Sequence, residues 1–252
     1  MKKVYSHYIS LGYFCEVAQD LEKLGLRDFS SPFDWGISCF KNVIEAIDHE
    51  FEGFLDYDNL SQDITNRAYY HEDRYNFWFY HDFNKYESLD KQYQKVKDKY
   101  FRRIKKFLDS INEPTLFVKY ISSEGLDPYG KSIELKWIED NYRHVLSVLR
   151  RYNAKNDIIF IGDESVSSGI IKIYHVQRDK NDTVSRSPIY NNKELFTILS
   201  SVSFPGKREN QRRYEIKTRK KHSYVVKIKN KIIYVLQRDF LMEYVHSKTY
   251  KI

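Results

Sequence analysis

Apolar positions along the chain follow two patterns: short runs of β-branched and aromatic residues, and longer stripes at helical spacing. The first run covers residues 7–11 and ends at Gly12, and a helical stripe then continues to Gly25. Further helical stripes cover 90–111 and 134–151, and further apolar runs cover 115–121 and 157–163. This alternation predicts an α/β domain with a mostly parallel, Rossmann-like sheet and helices on both faces.

The remaining segments have less regular patterns. Residues 56–75 are polar and rich in tyrosine, which predicts a long loop. The aromatic run 76–83 predicts a strand. The other predicted elements are a helix over 40–54, a strand over 170–176 and a short helix over 193–202.

The end of the chain differs from the rest. Residues 224–236 alternate apolar and basic positions around Asn230, which predicts a β-hairpin. We therefore expect an α/β core domain over 1–204 and a basic hairpin extension over 205–252 that packs on it. The formal net charge is +7, and residues 205–252 alone contribute +10, from fourteen Lys and Arg against four Asp and Glu. Such an end could contact nucleic acid, an anionic lipid surface or a phosphate-bearing substrate, or it could be a solvated edge.

The composition excludes several classes of protein. With 41% hydrophobic and 16% aromatic residues, the chain can bury a core and is not disordered. It contains no run of apolar residues long enough to span a bilayer and begins with no secretory signal, so we expect a cytoplasmic protein. Its two cysteines do not make a disulfide framework. No nucleotide-binding or metal-binding motif is present, so no cofactor and no metal are expected.

Cys15 is the first candidate for chemistry, because it lies in the opening turn of the helix predicted after Gly12. Unpaired N–H groups and the positive end of the helix dipole would favour its thiolate, which would make it a nucleophile. The alternative is a small side chain that covers a strand-to-helix turn. Cys39 lies in an apolar stretch and is predicted to belong to the core.

A cysteine nucleophile needs a histidine within hydrogen-bond reach and a third group that orients the imidazole. His81 is the best-placed histidine of the sequence, and His7 is the reserve. Asp34 is expected to orient His81, because adjacent strand residues point to opposite faces and Asp82 would therefore face away. The alternatives are a partly exposed strand histidine bonded to the backbone and, for Asp34, a cap on a turn.

Substrate-binding residues are expected where the strands of a parallel sheet end, because ligands bind at the carboxyl ends of such strands. This places Gly12 and Lys119 at the candidate site, with Asp82 near the candidate base. Arg102 and Arg103 belong to a cationic helical face that could hold a phosphate group. The alternative for both arginines is the solvated side of a helix.

Five ordered motifs then carry a resemblance to a known family. They are Ile9-Ser10-Leu11-Gly12-x-x-Cys15, Leu24-Gly25-Leu26-Arg27, Ser31-Pro32-Phe33-Asp34-Trp35, Tyr80-His81-Asp82-Phe83 and Leu116-Phe117-Val118-Lys119-Tyr120. Together they resemble a family of bacterial and viral proteins labelled as a domain of unknown function and as "putative papain-like cysteine peptidases", over residues 5–205. The resemblance implies Cys15 as nucleophile, His81 as base and a carboxylate from Asp34 or Asp82. Members often occur among genes for surface-polysaccharide assembly, which implies a link to surface-glycan biosynthesis.

The sequence therefore supports three hypotheses. The leading one is a cysteine-dependent hydrolase or acyl transferase that acts on a peptide or glycan-linked substrate. The second is a Rossmann-like glycan-assembly transferase with a phosphate-bearing donor, since residues 116–119, the helix over 134–151 and residues 160–164 are loosely similar to the donor half of some fucosyltransferase-like enzymes. The third is a non-enzymatic module that binds anions through residues 205–252.

Overall fold

A computed structural model describes residues 4–63, 70–79, 81–121, 123, 125–128, 132–178, 185–221 and 224. The chain divides into two compact units, residues 1–210 and residues 211–252. In chain order, the strands are β1 (His7–Ser10), β2 (Gly36–Ser38), β3 (Leu60–Gln62), β4 (Tyr70–Glu72), β5 (Phe77–Phe79), β6 (Thr115–Tyr120), β7 (Asp157–Asp163) and β8 (Ile173–Val176). The helices are α1 (Glu16–Lys23), α2 (Phe40–Asp48), α3 (Leu89–Ser110), α4 (Ile133–Tyr152), α5 (Pro188–Asn191) and α6 (Lys193–Ser200).

The first unit contains a four-stranded parallel sheet, as the alternating pattern predicts. Its strand order is β1-β6-β7-β8, and every neighbouring pair is parallel. The order runs in one direction among the described strands, whereas a Rossmann sheet reverses its order at a switch point. These four strands therefore establish a parallel α/β sheet and leave the Rossmann-like description open.

Helices cover both faces of this sheet, because the side chains of each strand alternate between them. In β6, Leu116, Val118 and Tyr120 belong to a core shared with α1, α5 and α6. Phe117 points the other way, into a core shared with α2, α3 and α4. Lys119 points the same way as Phe117, and its ammonium lies over the ring of Phe40, the first residue of α2.

A second, antiparallel sheet lies in the chain between β1 and β6 and has the order β2-β5-β4-β3. The predicted strand over 76–83 is shorter than expected, covering Phe77–Phe79, and the predicted loop over 56–75 includes both β3 and β4. One face, with Phe77 and Phe79, is buried in the core beneath α2 and α3. Ile37, His71 and Trp78 lie on the opposite face and are at least partly exposed.

In the second unit, residues 211–221 are helical. Residues 225–236, on which the hairpin prediction rests, lie outside the described residues. No helix in the described part of the chain is both long enough and apolar enough to cross a membrane.

Candidate functional site

The turn after β1 depends on Gly12. Its φ of +81° favours glycine, and a Cβ at this position would come within 3.1 Å of the carbonyl oxygen of Phe33. The Gly12 N–H also donates a hydrogen bond to the Ser10 hydroxyl, at 3.3 Å. This close approach packs the turn against the Ser31–Trp35 segment and directs the chain into α1, with Cys15 at its start.

Cys15 is half-buried at the beginning of α1. Burial raises the pKa of its thiol, and the neighbouring Glu16 carboxylate raises it further, while a hydrogen bond with the Gln19 side chain acts in the opposite direction. We predicted that the helix N-terminus would lower the pKa of Cys15. The pKa is raised instead, so this prediction is wrong. The side chains that influence this pKa are Glu16 and Gln19, and no imidazole is among them.

Asp34 is buried and bonded to Arg27. The Oδ2 atom of Asp34 accepts hydrogen bonds from Nε and Nη2 of Arg27, at 2.9 and 2.7 Å, and from the Ser31 N–H at 3.0 Å. Burial raises the pKa of this carboxyl group, and the guanidinium opposes the shift. These bonds tie the Ser31–Trp35 segment to the residues that follow α1. None of these contacts joins Asp34 to His81, so the orientation of His81 by Asp34 stays a prediction.

His81 and Asp82 follow β5 and have different surroundings. His81 is exposed. The Asp82 carboxylate is buried against α3, where it accepts hydrogen bonds from Tyr100 Oη, at 2.8 Å, and from Lys99 Nζ. Arg103 lies 3.8 Å from the same carboxylate. Asp82 therefore attaches the end of β5 to α3.

The cations proposed to hold substrate do not share one environment. Arg102 is exposed, whereas Arg103 is largely buried and faces Asp82. Lys119 is fully buried, with its Nζ 3.0 Å from Oε1 of Glu134. The Lys119 ammonium therefore has an internal carboxylate partner where we expected a ligand.

A cavity of about 490 Å³ opens at the carboxyl edge of β1 and β6. Its walls come from the turn after β1, the exposed face of the antiparallel sheet and the first turns of α2 and α4. Most of the lining is apolar or aromatic. The lining residues are Tyr13, Ile37, Ser38, Cys39, Phe40, Lys41, Asn42, Asn76, Trp78, Gly125, Ile133, Glu134 and Trp137.

Cys39 is exposed on the wall of this cavity, so the prediction that it belongs to the core is wrong. Strand alternation explains the difference: Ser38 points inward, and Ile37 and Cys39 point outward. The sequence could not show this, because apolar Ile37 and Cys39 alternate with Gly36 and Ser38, and here the apolar positions are the exposed ones. Although the residue is exposed, partial desolvation of its sulfur and the Glu134 carboxylate raise the pKa of the Cys39 thiol, and Lys119 opposes them.

His71, which was not among the histidines selected from the sequence, lies beside the cavity wall. His71 Nδ1 is 2.7 Å from the Asp73 carboxylate, and its Nε2 is 2.7 Å from Oδ1 of Asn76. Its ring packs on that of Trp78, with centroids 4.3 Å apart. Because Asn76 and Trp78 both line the cavity, the antiparallel sheet brings an imidazole to its edge.

The described residues contain no group of three or more His, Cys, Asp and Glu side chains that could hold a metal ion. The fold and site thus define an α/β protein with a cysteine at the start of each of two helices and an antiparallel sheet that carries a histidine.

The family model described as "Putative papain-like cysteine peptidase (DUF1796)" matches residues 6–135, which is more than half of the chain, and the chain belongs to this family. It is also similar to "Uncharacterized protein R408" of Acanthamoeba polyphaga mimivirus, with 28% identity over 134 residues. That match covers 44% of this chain and 60% of the viral protein, so the chain spans less than two thirds of that relative. No solved structure matches the chain significantly.

Proposed function

We propose that this protein is a cysteine-dependent hydrolase or acyl transferase with Cys15 as its nucleophile. The observation that carries the proposal is the position of Cys15, at the start of α1 and directly after the Gly12 turn, where β1 ends. Ligands of parallel α/β sheets bind at this edge. Family membership supports cysteine chemistry, and the matched residues include Cys15.

The raised pKa of Cys15 sets a requirement on the mechanism. At neutral pH the resting thiol is protonated, so a base must take the proton as sulfur attacks. We assign this role to His81. Sulfur adds to the carbonyl carbon of the substrate, and the bond to the leaving amine or alcohol breaks as that group takes up the proton from His81. Water or an acceptor hydroxyl then attacks the thioester and returns the proton to the thiol.

The other predicted site residues take supporting roles in this proposal. Gly12 permits the turn, and Asp34 positions the adjacent segment through Arg27. Asp82 anchors the chain next to His81. Substrate contacts from Arg102, Arg103 and Lys119, and a link to surface-glycan biosynthesis, remain predictions. No contact among the described residues favours the transferase with a phosphate-bearing donor.

Two serine variants test the nucleophile. Cys15→Ser should abolish hydrolysis of a panel of activated esters and peptide amides, and mass spectrometry of wild-type protein should locate the acyl group on Cys15. Cys39→Ser is the matched control and should retain activity. Loss of activity in Cys39→Ser alone, or an acyl group trapped only on Cys39, would reject Cys15 as the nucleophile.

The charge of the second unit favours a separate, non-catalytic role, which is contact with an anionic lipid surface. Its helical residues 211–221 contain six exposed cations and one carboxylate: Arg212, Arg213, Lys217, Arg219, Lys220 and Lys221, against Glu215. A helix with this charge is attracted to anionic headgroups, more strongly at low salt. The full chain should co-sediment with phosphatidylglycerol vesicles, and the combined Arg212→Glu, Arg219→Glu and Lys220→Glu variant should not. Equal binding to neutral vesicles would reject this role.

A further inference from the structure

The cavity exposes hydrophobic side chains that a folded protein normally covers. Ile37 and Ile133 both line it, and they are 42% and 56% exposed. They lie on different elements, β2 and the first turn of α4, and meet around one opening. Apolar surface gathered in a concavity of this size is typical of a binding site for a small group.

The walls between these two residues are mainly aromatic. Tyr13, Phe40, Trp78 and Trp137 all line the cavity. Phe40 and Trp137 already meet edge-to-face, with ring centroids 6.1 Å apart. Edge-to-face and offset packing against such rings favours an aromatic guest over an aliphatic guest of the same size.

Two charged side chains line the cavity, Glu134 and the exposed Lys41. Glu134 lines the wall, but its carboxylate is 3.0 Å from the buried Lys119 ammonium and accepts a hydrogen bond from the Phe40 N–H, at 2.9 Å. The negative charge is therefore compensated within the protein. Asn42 and Asn76 supply uncharged polar groups on the lining.

We propose that this cavity is a binding site for an aromatic ring, carried by a peptide side chain or by a free small molecule. Cys15 is not among its lining residues, although Tyr13, two residues earlier in the same turn, is. Two of the three tryptophans of the chain belong to its wall. Trp35 is elsewhere, with the Arg27 guanidinium 5.6 Å from its ring centre.

The fluorescence of these tryptophans provides the measurement. In a Trp35→Phe background, emission excited at the red edge of the absorption band should change saturably with benzyl alcohol or with N-acetylphenylalaninamide. Cyclohexylmethanol and N-acetylcyclohexylalaninamide are the saturated counterparts and should bind more weakly. If only the amide binds, the ring belongs to a peptide; if both aromatic compounds bind, a free ring suffices. Equal binding of aromatic and saturated compounds would overturn the proposal.

Variants then locate the site. Ile133→Glu adds a carboxylate at the opening of the cavity and should weaken binding by about tenfold or more, because apolar contact is lost and a charge must be desolvated. Since residue 133 is the first of α4, an acidic side chain there suits the helix dipole and should leave the fold intact.

Ile170→Glu is the matched control, because Ile170 is 64% exposed and lies outside the cavity. It should leave binding unchanged. Cys15→Ser should also bind normally, which separates a failure of this inference from a failure of the proposed function. No saturable signal in any background, or equal effects of Ile133→Glu and Ile170→Glu, would overturn the assignment.

Discussion

The two cysteines of this chain both lie at the start of a helix, but Cys15 is half-buried and Cys39 is exposed. Near the start of α1, the Glu16 carboxylate accepts a hydrogen bond from the Ser187 N–H and Asp20 accepts one from the Ile189 N–H, so side chains of α1 are bonded to α5 and the residue before it. The start of α2 faces the open cavity instead. The position of a thiol at a helix N-terminus therefore does not determine its exposure; the elements packed around that terminus do.

The backbone at the two positions differs as well. Cys15 has φ −75° and ψ −17°, which is already helical, whereas Cys39 has φ −69° and ψ 144°, the extended conformation of a residue that can cap a helix. Neither cysteine makes a side-chain capping hydrogen bond. Of these two helices, only α2 therefore begins at a residue whose replacement could add a side-chain capping hydrogen bond.

The largest loss of stability is expected when a buried ion pair near α1 is broken. Arg27→Met leaves the Asp34 carboxylate buried without its guanidinium, which should lower the free energy of unfolding by about 3–5 kcal/mol. Arg151→Met is the control, because its pair with Asp48 is partly exposed and should contribute about 1 kcal/mol or less. Urea denaturation measures both, and equal losses would show that the buried pair has no special importance.

The next effect concerns the turn that places Cys15. Gly12→Ala should lower the free energy of unfolding by about 2–3 kcal/mol, because the new Cβ meets the Phe33 carbonyl in addition to the strain of a positive φ. Gly206→Ala has a similar φ of +76° but no atom within 4 Å, so its effect should be near 1 kcal/mol. Thermal unfolding compares the two, and an equal or smaller loss for Gly12→Ala would contradict the close approach.

Thiol labelling compares the cysteines directly. Burial raises the pKa of both, so labelling by iodoacetamide should be slow at neutral pH and should accelerate as the pH rises toward and above 9, where the reactive thiolate forms. Cys39 should react about tenfold faster than Cys15 because it is exposed. Peptide mass spectrometry over time gives both rates, and faster labelling of Cys15 at every pH would reverse the comparison.

The smallest effect is a gain of stability. Cys39→Ser should raise the free energy of unfolding by about 0.5–1 kcal/mol, because a serine oxygen in this backbone conformation can accept a hydrogen bond from the first turn of α2. Cys15→Ser should give no such gain, since its backbone is helical. A chemical denaturation midpoint for each variant checks this, and a gain in Cys15→Ser would contradict the capping argument.

The parallel part of the fold could be predicted from the sequence because its elements are long and strongly patterned. β6, α3, α4 and β7 lie within a residue or two of their predicted bounds. The antiparallel sheet was missed apart from a strand over 76–83, because strands of three residues carry too little alternation and depend on partners far along the chain.

The candidate site was predictable only in part. Gly12 and Cys15 occupy the predicted turn and helix start. The Arg27–Asp34 pair and the Lys119–Glu134 pair were not foreseen, since residue type alone does not reveal which carboxylate compensates which buried cation. Cys39 was misjudged because its strand was not recognised.

The pairing of β1 with β6 has a consequence for how the chain folds. His7 lies opposite Thr115, so the first strand finds its neighbour only after more than a hundred further residues have been synthesised. Contacts of such sequence separation close slowly, because loop-closure entropy opposes them until late in folding. During translation, β1 therefore cannot pair until the intervening sheet, α3 and β6 have left the ribosome.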